Sequence, residues 1–344
     1  MDLVYGNNVH RPLGLGFSVD LQGKTYNIKT TIQNIAELHV QVVRYFEMTS
    51  ERNRVVLEWQ QDSAEMSYRI IFDEGEEGLV SNPFVGLIPD SGFFSSDRFG
   101  FHDPAVFESL RRGFGQISYL GPYRQRPSRL VRLPARSPRD VGSAGEHAVG
   151  MLISDQVRNN RRLLDEVNAL LGDSLAGWQL DVETQGPLYS VILRSTTDPS
   201  LRVNLLDSGT GVAQVLPLLV QLARSPGDLQ VVEEPELHLH PAFHALLADL
   251  FITETERGSS RFLIETHSET MLLRLRRRIA EGRISSDAVA VHFVDHENGS
   301  SRVRRINIDD FGNLDYWPAG VFSEDFEETK KLAEAQFARG RDEG

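Results

Sequence analysis

The chain has 344 residues, 40% apolar and 25% charged, with a formal net charge of −13. This fits one large or two modest soluble α/β domains. It also sets the surface as a whole against nucleic acid and acidic membranes, so contact with either needs a local basic patch. No apolar run approaches the roughly 20 residues of a membrane span, MDLVYGNNVHRPLG lacks a signal-peptide pattern, and the absence of cysteine excludes disulfides and thiolate metal sites. The location expected from this is the cytoplasm, with no membrane contact.

Residues 1–75 alternate apolar and polar positions between turn residues, and GFSVDLQ, TYNIKTTIQ, HVQVVRYFEM, RVVLEWQ and SYRIIFDE predict an antiparallel meander. Residues 76–145 hold the densest Gly, Pro and Ser punctuation and predict long loops with one short helix near 104–114. Residues 147–172 predict one helix stopped by Gly172. Three short strands follow, WQLDVET, YSVILRS and RVNLL. Next come a helix over 212–224, an apolar strand over 229–234, a helix over 241–257, an apolar strand over 261–266, a basic helix over 268–282 and a strand over 288–295. Strands alternating with helices predict a parallel sheet covered on both faces. A charged helical tail runs from Ser323. The expected division is 1–146, a β-rich lobe with long loops; 147–206, a helical arm with short strands; 207–322, a second α/β lobe; and 323–344, the tail.

Three motifs in the second lobe carry chemistry. LQVVEEPELHLHP (229–241) is an apolar strand ending in two carboxylates. In open α/β sheets ligands collect at the carboxyl ends of strands. There Glu233 can hold the water shell of a magnesium ion, and Glu234 can polarise an attacking water. The plainer reading is two solvated glutamates at a strand end. FLIETHSE (262–269) is another apolar strand ending in polar residues, and the β-α-β spacing lets the two tips be neighbours. His267 can then reach a phosphate oxygen; alternatively Ser268 caps a helix and His267 is incidental. LLDSGTGVAQVLPLL (205–219) runs a glycine-rich turn into an apolar helix, so Ser208, Gly209, Thr210 and Gly211 can cradle a phosphate or simply start the helix.

In this order, the motifs resemble the ABC-type ATPase heads of SMC, RecF and OLD proteins, in particular bacterial AAA-type ATPases carrying EEPELHLHP and ETHSE. YLGPYRQRP (119–127) and DYWPAGVFSEDF (315–326) resemble further segments of that family. The likeness runs from about residue 115 to 326 and reaches back weakly to residue 1. It implies an α/β P-loop NTPase head, with a β-rich antiparallel N-terminal lobe and a mainly parallel sheet flanked by helices. It also implies ATP and Mg²⁺ as ligands. LLDSGTGVAQ then takes the place of the ABC signature. Glu233 and Glu234 take the Walker B positions, Glu233 replacing the more usual aspartate. Leu237 to Pro241, with His240, takes the D-loop position, and His267 that of the switch histidine. Heads of this type pair around ATP and drive a partner, which points to DNA repair or anti-phage defence.

One part of the family pattern is missing. A P-loop needs G-x-x-x-x-G-K-[ST], and the only lysines are Lys24, Lys29, Lys330 and Lys331. Gly23-Lys24-Thr25 fails because position 18 is serine and the surroundings read as two strands about a turn. The chain is therefore expected to be N-terminally truncated or to take its P-loop strand and helix from another chain. Isolated, it is expected to bind ATP poorly. Two rivals stand beside this reading: a nucleotide-independent interaction subunit, and a metal-dependent hydrolase built on His238, His240 and His244 with Glu236. Arg124, Arg126, Arg129, Arg132, Arg136 and Arg139 form one basic stretch and Arg274, Arg276, Arg277 and Arg278 another; both are candidates for nucleic-acid phosphates. About 50 residues after the last predicted sheet strand are too few for a typical second domain, and Asp295-His296-Glu297 has the wrong order for a paired-Asp metal motif, so any nuclease or effector is expected in trans.

Overall fold

The computed structural model describes residues 12–89 except 22, 36–39, 52–53, 61–66, 73–74, 76, 82–83 and 86, and residues 117–342 except 176, 225–228, 258–259, 298–299 and 319–323. The chain divides into two compact units, residues 1–115 and 116–344. The boundary lies upstream of the expected 146 because strand Ile117–Leu120 joins a sheet of the second unit. The short helix expected near 104–114 lies outside the described residues.

The first unit is a six-stranded antiparallel meander in sequence order, β1 (Leu13–Leu21), β2 (Lys24–Ile35), β3 (Val40–Thr49), β4 (Arg54–Trp59), β5 (Ser67–Phe72) and β6 (Glu77–Ser81). Side chains of a strand alternate between faces, so Tyr26 and Ile28, Phe46 and Met48, Val55 and Leu57, and Tyr68 and Ile70 bury one face. A small hairpin, β7 (Phe84–Val85) with β8 (Ile88–Pro89), adds to that core. The Phe84 ring lies 5.8 Å from Phe46 and 5.0 Å from Tyr68. Gly23 turns the chain between β1 and β2 with φ +78°, and Lys24 pairs with Leu21 in the register. The Gly-Lys-Thr sequence is thus a hairpin turn, with no helix behind it.

In the second unit, β9 (Ile117–Leu120) leads through β10 (Val131–Arg132) to α1 (Ala148–Arg158) and α2 (Arg162–Leu171). The single helix expected over 147–172 is broken. Asn160 and Arg161 take left-handed φ values of 53° and 68°, and Asp155 Oδ2 accepts from the amides of Leu163 (2.8 Å) and Leu164 (3.3 Å), starting the second helix. Asparagine tolerates that conformation, and a carboxylate suits a helix N-terminus. An antiparallel sheet follows, in which β11 (Trp178–Gln185) and β10 flank β12 (Leu188–Ser195), with β13 (Arg202–Asn204) also pairing on β12.

After it come α3 (Thr210–Ala223), β14 (Leu229–Glu233), α4 (Pro241–Glu256), β15 (Arg261–Glu265) and α5 (Glu269–Ala280). Strand β14 lies between β15 and β9, parallel to both. One core runs from Leu180 and Val191 of the antiparallel sheet through Leu152, Val167 and Leu219 of the helices to Leu120 and Val232 of the parallel sheet. Within it Gln221 Nε2 donates to Gln230 Oε1 (2.7 Å) and Gln230 Nε2 to Ser260 Oγ (3.4 Å), a buried polar chain.

Among the described residues the parallel sheet is covered on one face, not on both as expected. Gln230, Val232 and Leu120 are buried, whereas on the other face Ile117 is 56% and Leu263 61% exposed, and Tyr119 is exposed beside them. The strand expected over 288–295 does not extend this sheet. It forms, as β16 (Val291–Glu297), an antiparallel hairpin with β17 (Ser300–Ile306). The tail is helical, α6 (Glu324–Asp342). No helix among the described residues is long and apolar enough to cross a membrane.

Candidate functional site

The tips of β14 and β15 lie side by side. Glu233 is in register with Glu265, and the Glu234 amide donates to the Glu265 carbonyl at 2.8 Å. Residues 229, 231 and 233 share the open face of the sheet, so the Glu233 carboxylate emerges there with Glu265 as its neighbour. Tyr119, from β9, lies on the same face; burial, then the neighbouring Glu233 and Glu265 carboxylates, hold its phenol above the ordinary pKa.

Glu234 ends the strand with φ +42°, a left-handed conformation that costs a non-glycine residue about 1–2 kcal/mol. Neighbouring bonds hold it there. Leu237 N donates to Glu234 O (3.1 Å), Leu239 N to Glu236 O (2.9 Å), and Arg124 Nη2 to both Glu233 O (3.1 Å) and Glu234 O (3.2 Å). Glu236 reaches across to the exit of β15. Its Oε1 accepts from Thr266 Oγ1 (2.8 Å) and from the His267 amide (2.7 Å). Arg124 is 7% and Glu236 8% exposed. Burial pushes the Arg124 guanidinium down from its ordinary pKa, and the Glu236 and Glu234 carboxylates oppose that shift.

Ser268 caps α5, its Oγ accepting from Met271 N at 3.1 Å. The helix-cap reading of THS therefore holds for Ser268, while His267 is exposed one residue earlier at the tip. At the start of α3, Ser208 Oγ donates to Leu205 O (2.8 Å) and Gly209 takes φ +94°. No side chain caps that helix, so its first amides are not used by a cap. A side chain at Gly211 would meet Leu239 Cδ2 at 3.5 Å and His238 O at 3.7 Å, which places the 208–211 turn against residues 237–241. Gln214 Nε2 reaches back to Arg124 O (3.4 Å). Arg129 bonds both oxygens of Asp207 at 2.7 Å, and that pairing holds the Asp207 carboxyl below its ordinary pKa.

The three histidines do not converge. His238 is exposed, with φ 65°. His240 Nδ1 caps α4 by accepting from Ala242 N (3.2 Å), and His244 Nδ1 bonds Ser268 Oγ (2.9 Å). Among the described residues no group of three His, Cys, Asp or Glu is placed to hold a metal ion. The basic helix is also engaged internally. Arg274 and Arg278 bind Asp249, Arg277 pairs with Glu281, and Arg276 Nε donates to Gly312 O at 2.7 Å. In the other stretch Arg124 is buried and Arg129 paired, leaving Arg126, Arg132, Arg136 and Arg139 exposed.

Sequence reasoning therefore found the two tips and the glycine turn, but missed Arg124, Glu236, Tyr119 and Glu265 as parts of one cluster. Arg124 was legible only as a member of a charge run, and Glu236 only as a companion of the histidines. Their tertiary partners are 109 and 31 positions away in the chain, beyond the reach of local spacing.

A family model described as "AAA domain, putative AbiEii toxin, Type IV TA system" matches residues 81–274, and one described as "Protein of unknown function (DUF3696)" matches residues 284–332. No curated protein matches the chain. Among solved structures, the chain is similar to one described as "Structural biochemistry of ATP-driven dimerization and DNA stimulated activation of SMC ATPases", with 13% identity, TM-score 0.35 and coverage of 51% of this chain and 95% of that one. It is similar to the SmcHead bound to the C-winged helix domain of ScpA at 11% identity and TM-score 0.39, covering 82% and 74%. The SMC head domain from Thermotoga maritima gives 12% identity and TM-score 0.33, covering 85% and 78%. Matched by the first family model over more than half of its length, through both strand tips, the chain belongs to this AAA domain family.

Proposed function

We propose that the chain is the hydrolytic part of an ABC-like ATPase head, acting on Mg²⁺-ATP as one of a pair of heads. The observation that carries this reading is the backbone union of the β14 and β15 tips, which gathers Glu233, Glu234 and the His267 segment at one end of a parallel sheet. Magnesium takes hard oxygen ligands and needs only one or two protein carboxylates beside phosphate, so the donor set at the tip fits it. In this reading Glu233 holds the ion's water shell, and Glu234 orients a water and takes its proton. His267 bonds a phosphate oxygen. Ser208, Gly209, Thr210 and Gly211, at the uncapped start of α3, face nucleotide held by the opposite head, with His240 beside them in the D-loop position. Bound Mg²⁺-ATP supplies a phosphoryl group with its charge partly neutralised.

The phosphate-binding lysine comes, in this reading, from a segment outside residues 1–344 or from another chain. Lys24 and Lys29 lie in strand β2, and the exposed Ile117, Tyr119 and Leu263 form an apolar sheet face of the kind that helices cover in parallel sheets. Any contact with nucleic acid is assigned to Arg126, Arg132, Arg136 and Arg139 rather than to α5. A nuclease or other effector acts in trans, and the setting is DNA repair or phage defence. A nucleotide-independent interaction subunit is the second reading, favoured by the lack of any G-x-x-x-x-G-K-[ST] match within residues 1–344.

The test is steady-state ATP turnover by the chain assembled with a glycine-rich, lysine-bearing loop segment, taken from its own coding region or from a co-purified partner. Glu234→Gln is expected to lower kcat by about 10²–10⁴-fold, the range of general base catalysis. An assembly without turnover, or one indifferent to Glu234→Gln, establishes the second reading.

A further inference from the structure

Successive carbonyls of an extended strand point to opposite sides. The carbonyls of Glu233 and Glu234 nevertheless both accept from the same Arg124 nitrogen, at 3.1 and 3.2 Å. The left-handed φ of Glu234 makes this possible, because it turns one peptide unit back toward the guanidinium. Two residues on, Glu236 Oε1 holds the Thr266 hydroxyl and the His267 amide. One buried cation thus fixes the exit of β14 and one buried anion fixes the exit of β15.

The two groups also answer one another. Both are more than nine-tenths buried, and the carboxylate of Glu236 is the leading charge that offsets the burial of Arg124. Neither is saturated: Arg124 Nε and Nη1 and Glu236 Oε2 have no hydrogen-bond partner among the described residues. Buried charges with unfilled hydrogen-bonding positions cost stability. Their retention at this spot is thus poorly explained by stability and well explained by geometry.

We propose that Arg124 and Glu236 are a positioning pair that sets the backbone of Glu234 and of His267 for hydrolysis without touching the nucleotide. The inference rests on the ATPase reading for its purpose, but its structural half can be measured without ATP. In the full chain free of nucleotide, hydrogen exchange followed by mass spectrometry is compared for wild type and Arg124→Met. The expected result is exchange about ten- to a hundredfold faster over residues 233–239 and 265–268, the scale of lost charge-assisted hydrogen bonds, with helix α1 protected as in wild type and a lowered melting temperature, because Glu236 is left buried without its cation. Arg124→Lys keeps the charge beside Glu236 but cannot present the planar guanidinium; it is expected to loosen the same segments, and it carries the measurement should the methionine variant fail to fold.

In the assembly that turns over ATP, Arg124→Met is expected to lower kcat about a hundredfold, the effect of misplacing a reacting group by about 1 Å, with KM within about twofold of wild type. Unchanged exchange over both segments overturns the inference, as does an undiminished kcat in an active assembly. If the wild-type assembly shows no turnover, the ATPase reading falls, while the exchange comparison still decides whether the pair holds the two tips.

Discussion

Asp249 joins the helix after one strand tip to the helix after the other, and its replacement by asparagine measures that link. Its Oδ1 accepts from Arg278 Nε at 2.6 Å, and its Oδ2 from Arg278 Nη2 at 2.8 Å and Arg274 Nη1 at 2.5 Å. Asparagine at this position would keep the shape and one acceptor, but would turn an amino group toward a guanidinium. A hydrogen bond to a charged group contributes about 1.5–3 kcal/mol when sheltered, and an exposed ion pair only about 0.2–1 kcal/mol. The Asp249 side chain is 19% exposed, between those limits, so Asp249→Asn is expected to cost about 2 kcal/mol at pH 7.

Urea unfolding followed by circular dichroism should place the variant's midpoint roughly 0.5–1 M lower. Acid supplies a second arm. The Arg278 bond, against opposing burial and with Arg274 adding, holds the Asp249 carboxyl below its ordinary value of 3.8. A depressed folded pKa gives stability that is complete above the unfolded pKa and disappears as pH falls through the folded one. The gap between wild type and variant should therefore stay constant from pH 7 to about 4 and close below that. A gap under about 0.5 kcal/mol at pH 7, or one that persists undiminished into strong acid, refutes this account of the α4–α5 junction.

Gly312→Ala should destabilise the second unit by at least about 2 kcal/mol, because φ there is +75° and the new methyl would overlap the Arg276 carbonyl oxygen; a thermal melt within a degree of wild type would contradict this. Burial pushes the Tyr68 phenol up to about 12. Its raised folded pKa gives stability that is complete below pH 10 and lost as pH climbs through about 12, so ultraviolet titration should show one tyrosine ionising together with unfolding of the first unit rather than ahead of it. Elemental analysis of purified protein should find no stoichiometric zinc, manganese or iron, given the separate engagements of His240 and His244.

The strands and helices were readable where apolar period and caps agreed. The meander declared itself by strict alternation, and β14 and β15 by short apolar runs that stop at charged residues. Three failures stand out, two decided by neighbours close in sequence and one by a partner far along the chain. The helix break at Asn160 needs Asp155 to gather two amides. The hairpin fate of β16 depends on β17 being nearer than the parallel sheet. The role of Arg124 depends on two carbonyls more than a hundred positions away. Within the site, the acidic pair and the imidazole announced themselves as strand endings, but what fixes them is buried and therefore silent in a reading of exposed charge.

The amide chain of Gln221, Gln230 and Ser260 has a consequence for how β14 ends. Sliding the strand by one residue would turn every side chain to the opposite face. Sliding it by two would restore the faces but bring Val232 where Gln230 was, leaving the Gln221 and Ser260 groups to face hydrocarbon. The core thus counts positions along the strand. Three steps past its polar tooth, Glu233 has only one place to surface, and the carboxylates are indexed from inside the protein before any ligand arrives.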